Sequence, residues 1–124
     1  MDRYDPDRAP EASAWNDLDE GKQLRLVAEY HEALDVDLPN PGVHAVIHAV
    51  VENQLATPVP TVAAAMRRLR DEGLDRHEAL HAIGSVLLVH LQQVTTSIAP
   101  SNDFMAAYER DLQDLTAASW HAAG

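Results

Sequence analysis

Hydrophobic residues recur every three to four positions along most of the chain, which is the periodicity of amphipathic helices. Leu24, Val27 and His31 are spaced three and four residues apart and therefore share one face of a first helix. Four more segments with helical character follow, over about residues 43–56, 61–72 and 75–98 and from residue 100 onward. No segment alternates with a period of two. The pattern predicts an all-α fold, a five-helix bundle-like single domain.

Prolines, glycines and capping residues mark the expected helix ends. Two prolines and a glycine fall within residues 39–42, and two more prolines fall within residues 58–60, so both stretches should interrupt the helical pattern. Asn16 or Asp17 is expected to cap the first helix, and Asp75 to cap the fourth. Gly73 is expected to end the third helix.

Residues 1–15 differ from the rest of the chain in composition. They are rich in Asp, Pro, Arg and Ala and have no hydrophobic period. We expect a flexible acidic N-terminal arm over residues 1–15, pinned at its end by Trp15, and a histidine-rich helical domain over residues 16–124.

Charge and composition narrow the range of partners. The 124 residues fit one domain, and the formal net charge of -11 repels phosphate backbones and anionic membranes. Nucleic acid and membrane partners are therefore not expected, whereas a homo-oligomer is left open. The first residues are acidic without an apolar core, and no apolar run approaches about 20 residues, so a soluble cytoplasmic protein is expected. With no cysteine, any metal must bind to nitrogen or oxygen.

Histidine is the residue type that carries candidate chemistry. His44/His48 and His77/His81 are two i, i+4 pairs on separate helices, and His31 lies on the apolar face of another. Side chains four residues apart lie one helical turn apart, so two imidazoles can bind one ion. An unpartnered buried imidazole loses hydrogen bonds worth about 1–3 kcal/mol apiece. A bound metal ion would satisfy several of them, and the alternative is a hydrogen-bonded histidine network.

The proposed metal ligands are the two pairs, with His31 and Glu52 as additional ligands or as residues that orient a ligand. Glu52 follows His44 by eight residues, about 12 Å along a helix, so one ion cannot comfortably bind His44, His48 and Glu52 together. One ion or two therefore remain open. Imidazole with a carboxylate suits a divalent metal, zinc or iron first and nickel as a further option. His90 falls on the opposite helix face and is predicted to be a surface residue.

The stretch His77-Glu78-Ala79-Leu80-His81 matches the H-E-x-x-H pattern of zinc metallopeptidases. In that chemistry the histidines bind zinc and Glu78 would be the catalytic residue that activates a bound water. The competing interpretation is structural, because Asp75 as the cap places Glu78 at the third helical position, where an acidic residue completes a capping box.

The spaced histidines resemble those of an uncharacterised bacterial domain-of-unknown-function family (DUF1841-like). The resemblance rests on Asn40-Pro41-x-x-His44-x-x-x-His48 followed by His77-x-Ala79-x-His81, and covers about residues 30–90. It implies a shared helical fold and a shared histidine site, without an established activity.

Three functions follow from these patterns. The first is a metal-binding helical protein with a histidine-rich site of one or two ions, with a small-molecule ligand and a metal-dependent reaction as further expectations. The second is a zinc hydrolase that acts through Glu78. The third is a non-catalytic protein-interaction module, which would use the acidic surface and the arginines Arg67, Arg68 and Arg70.

Overall fold

The computed structural model describes residues 3–33, 41–57, 59–96 and 104–123, with side chains for 3–30, 43–57, 59–90 and 105–121. Regular structure in these residues is entirely helical, which confirms the all-α class. The helices are α1 (Ala12–Asn16), α2 (Glu20–Ala33), α3 (Pro41–Ala56), α4 (Pro60–Asp71), α5 (Arg76–Thr96), α6 (Phe104–Asp114) and α7 (Ala117–Ala123). The five predicted helices correspond to α2 to α6, and the short helices α1 and α7 were not predicted.

The chain forms two compact units, Met1–Val59 and Pro60–Gly124, called the N-terminal and C-terminal units below. Each unit has its own buried residues and is described by itself. The predicted division into an arm over 1–15 and a domain over 16–124 stays a prediction. In the described part of the chain, no helix is long and apolar enough to cross a bilayer.

In the N-terminal unit, α1 and α2 both pack against α3. Its core is formed by two aromatic residues and four aliphatic ones: Tyr4, Trp15, Leu26, Val27, Ala45 and Ala49. Tyr4 and Trp15 lie within the segment predicted to be a flexible arm, residues 1–15, and both are buried; residues 12–16 form a helix. Burial of these two aromatic side chains outweighs the polar composition of the segment, because each Tyr or Trp side chain buries roughly 150–250 Å² of surface.

Two acidic residues begin the first two helices. The Glu11 carboxylate accepts hydrogen bonds from the hydroxyl of Ser13 and the backbone N–H of Ala14, which together hold the pKa of Glu11 below its ordinary value. Asp19 Oδ1 accepts the backbone N–H of Lys22 at 2.7 Å and caps α2. The prediction of Asn16 or Asp17 as this cap was wrong, because both residues lie at the end of α1.

In the C-terminal unit, α4, α5 and α6 pack against one another. Arg68 donates from Nη2 to the carbonyl of Leu112 at 2.6 Å and from Nε to that of Leu115 at 3.0 Å. Leu112 lies in the last turn of α6 and Leu115 lies just beyond it, so Arg68 binds carbonyls at the end of that helix. Arg70 likewise donates to the carbonyl of Leu74. Two of the three arginines predicted to form an exposed stripe therefore bind backbone within their own unit.

Gly73 ends α4, as predicted. Its φ of +103° is a conformation that L side chains rarely adopt. The N–H of Gly73 donates to the carbonyl of Arg70 at 3.1 Å, and the N–H of Leu74 donates to the carbonyl of Leu69 at 3.1 Å. These two hydrogen bonds define a Schellman motif.

We expect Gly73→Ala to lower the free energy of unfolding by about 1–2 kcal/mol, because a Cβ there meets no atom within 4 Å and only the backbone conformation is penalised. Gly21→Ala is the control. Its Cβ would meet Asp19 Oδ1 at an ordinary 3.4 Å within a helix, so stability should hold or rise. Urea unfolding measures the free energy of unfolding of both variants. Equal changes would contradict the conclusion that the backbone conformation at residue 73 requires glycine.

Candidate metal centre

Helix α3 carries the first histidine pair. It begins at Pro41, whose fixed φ suits a first helical position, and it continues with mostly apolar residues. His44 and His48 are one turn apart, with ring centroids separated by 4.8 Å and ring planes inclined by 41°. His44 is half-buried, whereas His48 is only 2% exposed. The predicted i, i+4 pair therefore lies on one helix, and His48 is the member of the pair that faces the core.

Helix α5 carries the second pair. Asp75 Oδ1 accepts the backbone N–H of Glu78 at 2.7 Å, so the predicted cap of this helix is confirmed. The cap fixes the first turn, in which His77 lies, and His81 follows one turn later. Their ring centroids are 4.4 Å apart with an edge-to-face inclination of 68°, and both side chains are half-buried.

The four imidazoles of these pairs lie close together. Each of His44, His48, His77 and His81 offers a ring nitrogen, and these nitrogens all lie within 4.8 Å of one another. In a tetrahedral site with bonds of about 2.1 Å, the ligand nitrogens are about 3.4 Å apart. A bound ion would therefore draw the most distant nitrogens together by up to about 1.4 Å, which side-chain rotation can supply. Four histidines in the described residues are thus close enough to bind a metal.

Glu52 lies one turn beyond His48 on α3 and is 1% exposed. Its Oε2 accepts a hydrogen bond of 2.6 Å from the hydroxyl of Tyr4. The same hydroxyl lies 3.2 Å from Nδ1 of His48. Of the two roles that the sequence left open for Glu52, ligand or orienting residue, the structure gives it an indirect contact with His48 through Tyr4. It is not part of the four-histidine set.

Tyr4 is the site residue that sequence reasoning missed. It lies in a segment of Asp, Pro and Arg, 44 residues before His48, and no local periodicity connects the two. The available signal was compositional: aromatic residues are only 5% of the chain, so a tyrosine within a supposed solvent-exposed arm is a candidate for burial.

The remaining predicted site residues are placed differently. The side chain of His31 lies outside the described residues, although its backbone belongs to α2. Glu78 Oε1 accepts a hydrogen bond of 3.2 Å from the indole N–H of Trp120 in α7. The role of Glu78 as a catalytic base stays a prediction.

His90 does not lie on the surface, as the sequence analysis had it. It is 7% exposed, and its Nε2 lies 2.6 Å from Oδ2 of Asp111 on α6. Its ring also meets Tyr108 edge-on at 6.4 Å. The helical periodicity places His90 on the face of α5 opposite His77. That face is buried because α6 packs against α5 there. Burial and the charge of Glu109 raise the pKa of Tyr108 above its ordinary value.

Comparison with known proteins adds no assignment. No protein-family model matches the chain, and neither a curated protein nor a solved structure matches it. The resemblance to a domain-of-unknown-function family stays a prediction, and the case for function rests on the geometry of the site.

We expect Asp111→Ala to lower the free energy of unfolding by about 1–2 kcal/mol, because it removes the acceptor of a buried imidazole while Asp111 itself is 55% exposed. Asp114→Ala, at an exposed position of the same helix, is the control and should change stability by less than about 0.5 kcal/mol. Thermal or urea unfolding measures both. Equal stability of the two variants would show that the His90–Asp111 contact contributes nothing.

Proposed function

We propose that this chain is a metal-binding helical protein in which His44, His48, His77 and His81 bind one divalent transition-metal ion. The single observation that supports the proposal is the mutual distance of their ring nitrogens, at most 4.8 Å. Isolated i, i+4 histidine pairs are common on helices. Two such pairs whose nitrogens approach one another offer four donor atoms of the kind that binds zinc, iron or nickel.

The donor atoms favour zinc or iron, with nickel as a further candidate. Imidazole nitrogen is a borderline ligand that suits these ions, and no thiolate is available in a chain without cysteine. Calcium and magnesium prefer oxygen ligands and fit the site poorly. A second ion, with Glu52 as a ligand, has less support, because the Glu52 carboxylate already accepts the Tyr4 hydroxyl.

The number of open coordination positions decides whether such a centre is catalytic. Four imidazoles complete a tetrahedral zinc site, which is the arrangement of structural centres. With an octahedral ion the same four ligands leave two positions for water or a small molecule, and a metal-dependent reaction becomes available. The proposal therefore covers metal binding, and an enzymatic role follows only with an ion of higher coordination number.

The two alternative functions have weaker support. A zinc hydrolase of the H-E-x-x-H type needs Glu78 beside a bound water, and Glu78 has a hydrogen bond with Trp120 that serves packing. An interaction module that uses the arginines has less support, because Arg68 and Arg70 already donate to backbone carbonyls within their own unit.

We expect protein purified without a polyhistidine tag to contain about one equivalent of zinc, iron or nickel per chain. His48→Ala and His81→Ala should each lose most of it, because removing one of four ligands weakens binding strongly. His121→Ala, at an exposed histidine, is the matched control and should retain it. Elemental analysis measures the metal, with zinc titration against a chelator as a second measurement. No binding by the wild-type protein, or equal loss in all three variants, would overturn the proposal.

We expect Glu78→Gln to keep its metal content, because the amide oxygen can still accept the Trp120 indole N–H and the cap from Asp75 is unchanged. Elemental analysis of this variant beside the wild type tests the expectation. Hydrolysis of a peptide library by the metal-loaded wild type, abolished in Glu78→Gln at full metal content, would instead establish the hydrolase.

A further inference from the structure

We infer that Tyr4 and Glu52 hold the imidazole of His48 in a single tautomer, with the proton on Nδ1, so that Nε2 is the atom that binds the ion. The inference deepens the proposed function and rests on it for the identity of the bound ligand. The tautomer itself is a property of the protein without metal. Tyr4 and Glu52 are thus positioning residues that act on the centre through His48.

The first step of the argument concerns the hydroxyl proton of Tyr4. A hydroxyl has one proton to donate, and a carboxylate has only acceptor oxygens. The 2.6 Å distance from the Tyr4 hydroxyl to Glu52 Oε2 is that of a strong charge-assisted hydrogen bond. The proton therefore points toward Glu52, and the hydroxyl oxygen is left as an acceptor.

The second step concerns His48. Its Nδ1 lies 3.2 Å from the Tyr4 hydroxyl, whose proton is already directed at Glu52. The contact is a hydrogen bond only if Nδ1 carries a proton and donates it to the tyrosine oxygen. In a neutral imidazole the other nitrogen, Nε2, then carries no proton and has the lone pair that can bind an ion. A ligand nitrogen whose partner nitrogen donates to a carboxylate-backed acceptor is also a more basic ligand.

The third step concerns rigidity. His48 and Glu52 project from the same helix one turn apart, so the hydroxyl between them spans two fixed points. Tyr4 is 1% exposed, and its ring lies 5.7 Å from that of Trp15 and 6.2 Å from that of Tyr30, edge-on to the latter. The three side chains are each at most 2% exposed, so bulk solvent does not compete for these hydrogen bonds.

This arrangement accounts for a buried glutamate beside a histidine site without making it a ligand. Glu52 would act on a bound ion through the Tyr4 hydroxyl and the His48 ring, and it would not occupy a coordination position. Carboxylate groups placed behind a metal-binding histidine commonly contact it directly. Here a tyrosine from 44 residues earlier in the chain transmits the contact.

The experiment uses the full chain and the variant Tyr4→Phe, which keeps the ring and removes the hydroxyl. Long-range ¹H–¹⁵N correlation spectra of the metal-free protein report the tautomer of His48 directly. We expect Nδ1-protonated imidazole in the wild type and a mixture of tautomers in Tyr4→Phe. Zinc affinity, measured by competition with a chelator, should fall about 10-fold to 100-fold in the variant.

Two further variants separate positioning from folding. Gln23→Leu removes the side-chain N–H groups that donate to Asn53 Oδ1 and to the Trp15 carbonyl in the same unit, so it should lower stability while leaving the His48 tautomer and the zinc affinity unchanged. Glu52→Gln keeps an acceptor oxygen for the Tyr4 hydroxyl but removes the charge. It should keep the tautomer and lose less zinc affinity than Tyr4→Phe.

The outcomes distinguish this inference from the proposed function. A His48 spectrum that is identical in the wild type and Tyr4→Phe, with equal zinc affinity, overturns the inference and leaves metal binding standing. A proton on Nε2 in the wild type also overturns it. A fixed Nδ1 proton in a wild-type protein that binds no zinc, iron or nickel supports the tautomer assignment and overturns the proposed function.

Discussion

The N-terminal unit is organised around α3, because the buried polar side chains of this helix need hydrogen-bond partners. This helix is largely apolar, yet it presents His48 and Glu52 to the core. Both bind Tyr4, while the next residue along the helix, Asn53, accepts hydrogen bonds from Trp15 and Gln23. Leaving any of these groups unpaired would cost about 1–3 kcal/mol, a large fraction of the stability of a small protein. The hydrogen bonds therefore fix the position and orientation of the N-terminal residues on α3. Apolar packing alone has no such directional preference.

In the C-terminal unit, polar groups find their partners mainly through side chains that cap the backbone at helix ends. Arg68 binds the carbonyls at the end of α6, and Glu72 Oε1 accepts the backbone N–H of Ala117 at the start of α7 at 2.7 Å. Both residues belong to the end of α4 and the turn after it. Gly73 closes that turn, so the C-terminal end of α4 supplies hydrogen-bond partners for the ends of two other helices.

The sequence predicted the parts of this architecture that depend on local periodicity. The all-α class, the end of α4 at Gly73, the cap of α5 by Asp75 and the two histidine pairs all follow from spacings of one to four residues. The features that sequence reasoning missed depend on contacts between distant segments. Tyr4 reaches His48 from 44 residues away, and His90 is buried by Asp111, 21 residues later. Periodicity within one helix carries no information about which other helix covers its second face, so these contacts were beyond the reach of pattern analysis.

The long separation between Tyr4 and His48 has a consequence for the order of folding events. Closing a loop of 44 residues costs more chain entropy than forming the contacts within α3, so the Tyr4 contact is expected to form after the helix itself. If the inferred tautomer of His48 depends on that contact, it would exist in the folded protein alone, and an unfolded chain would expose both nitrogens of the ring equally.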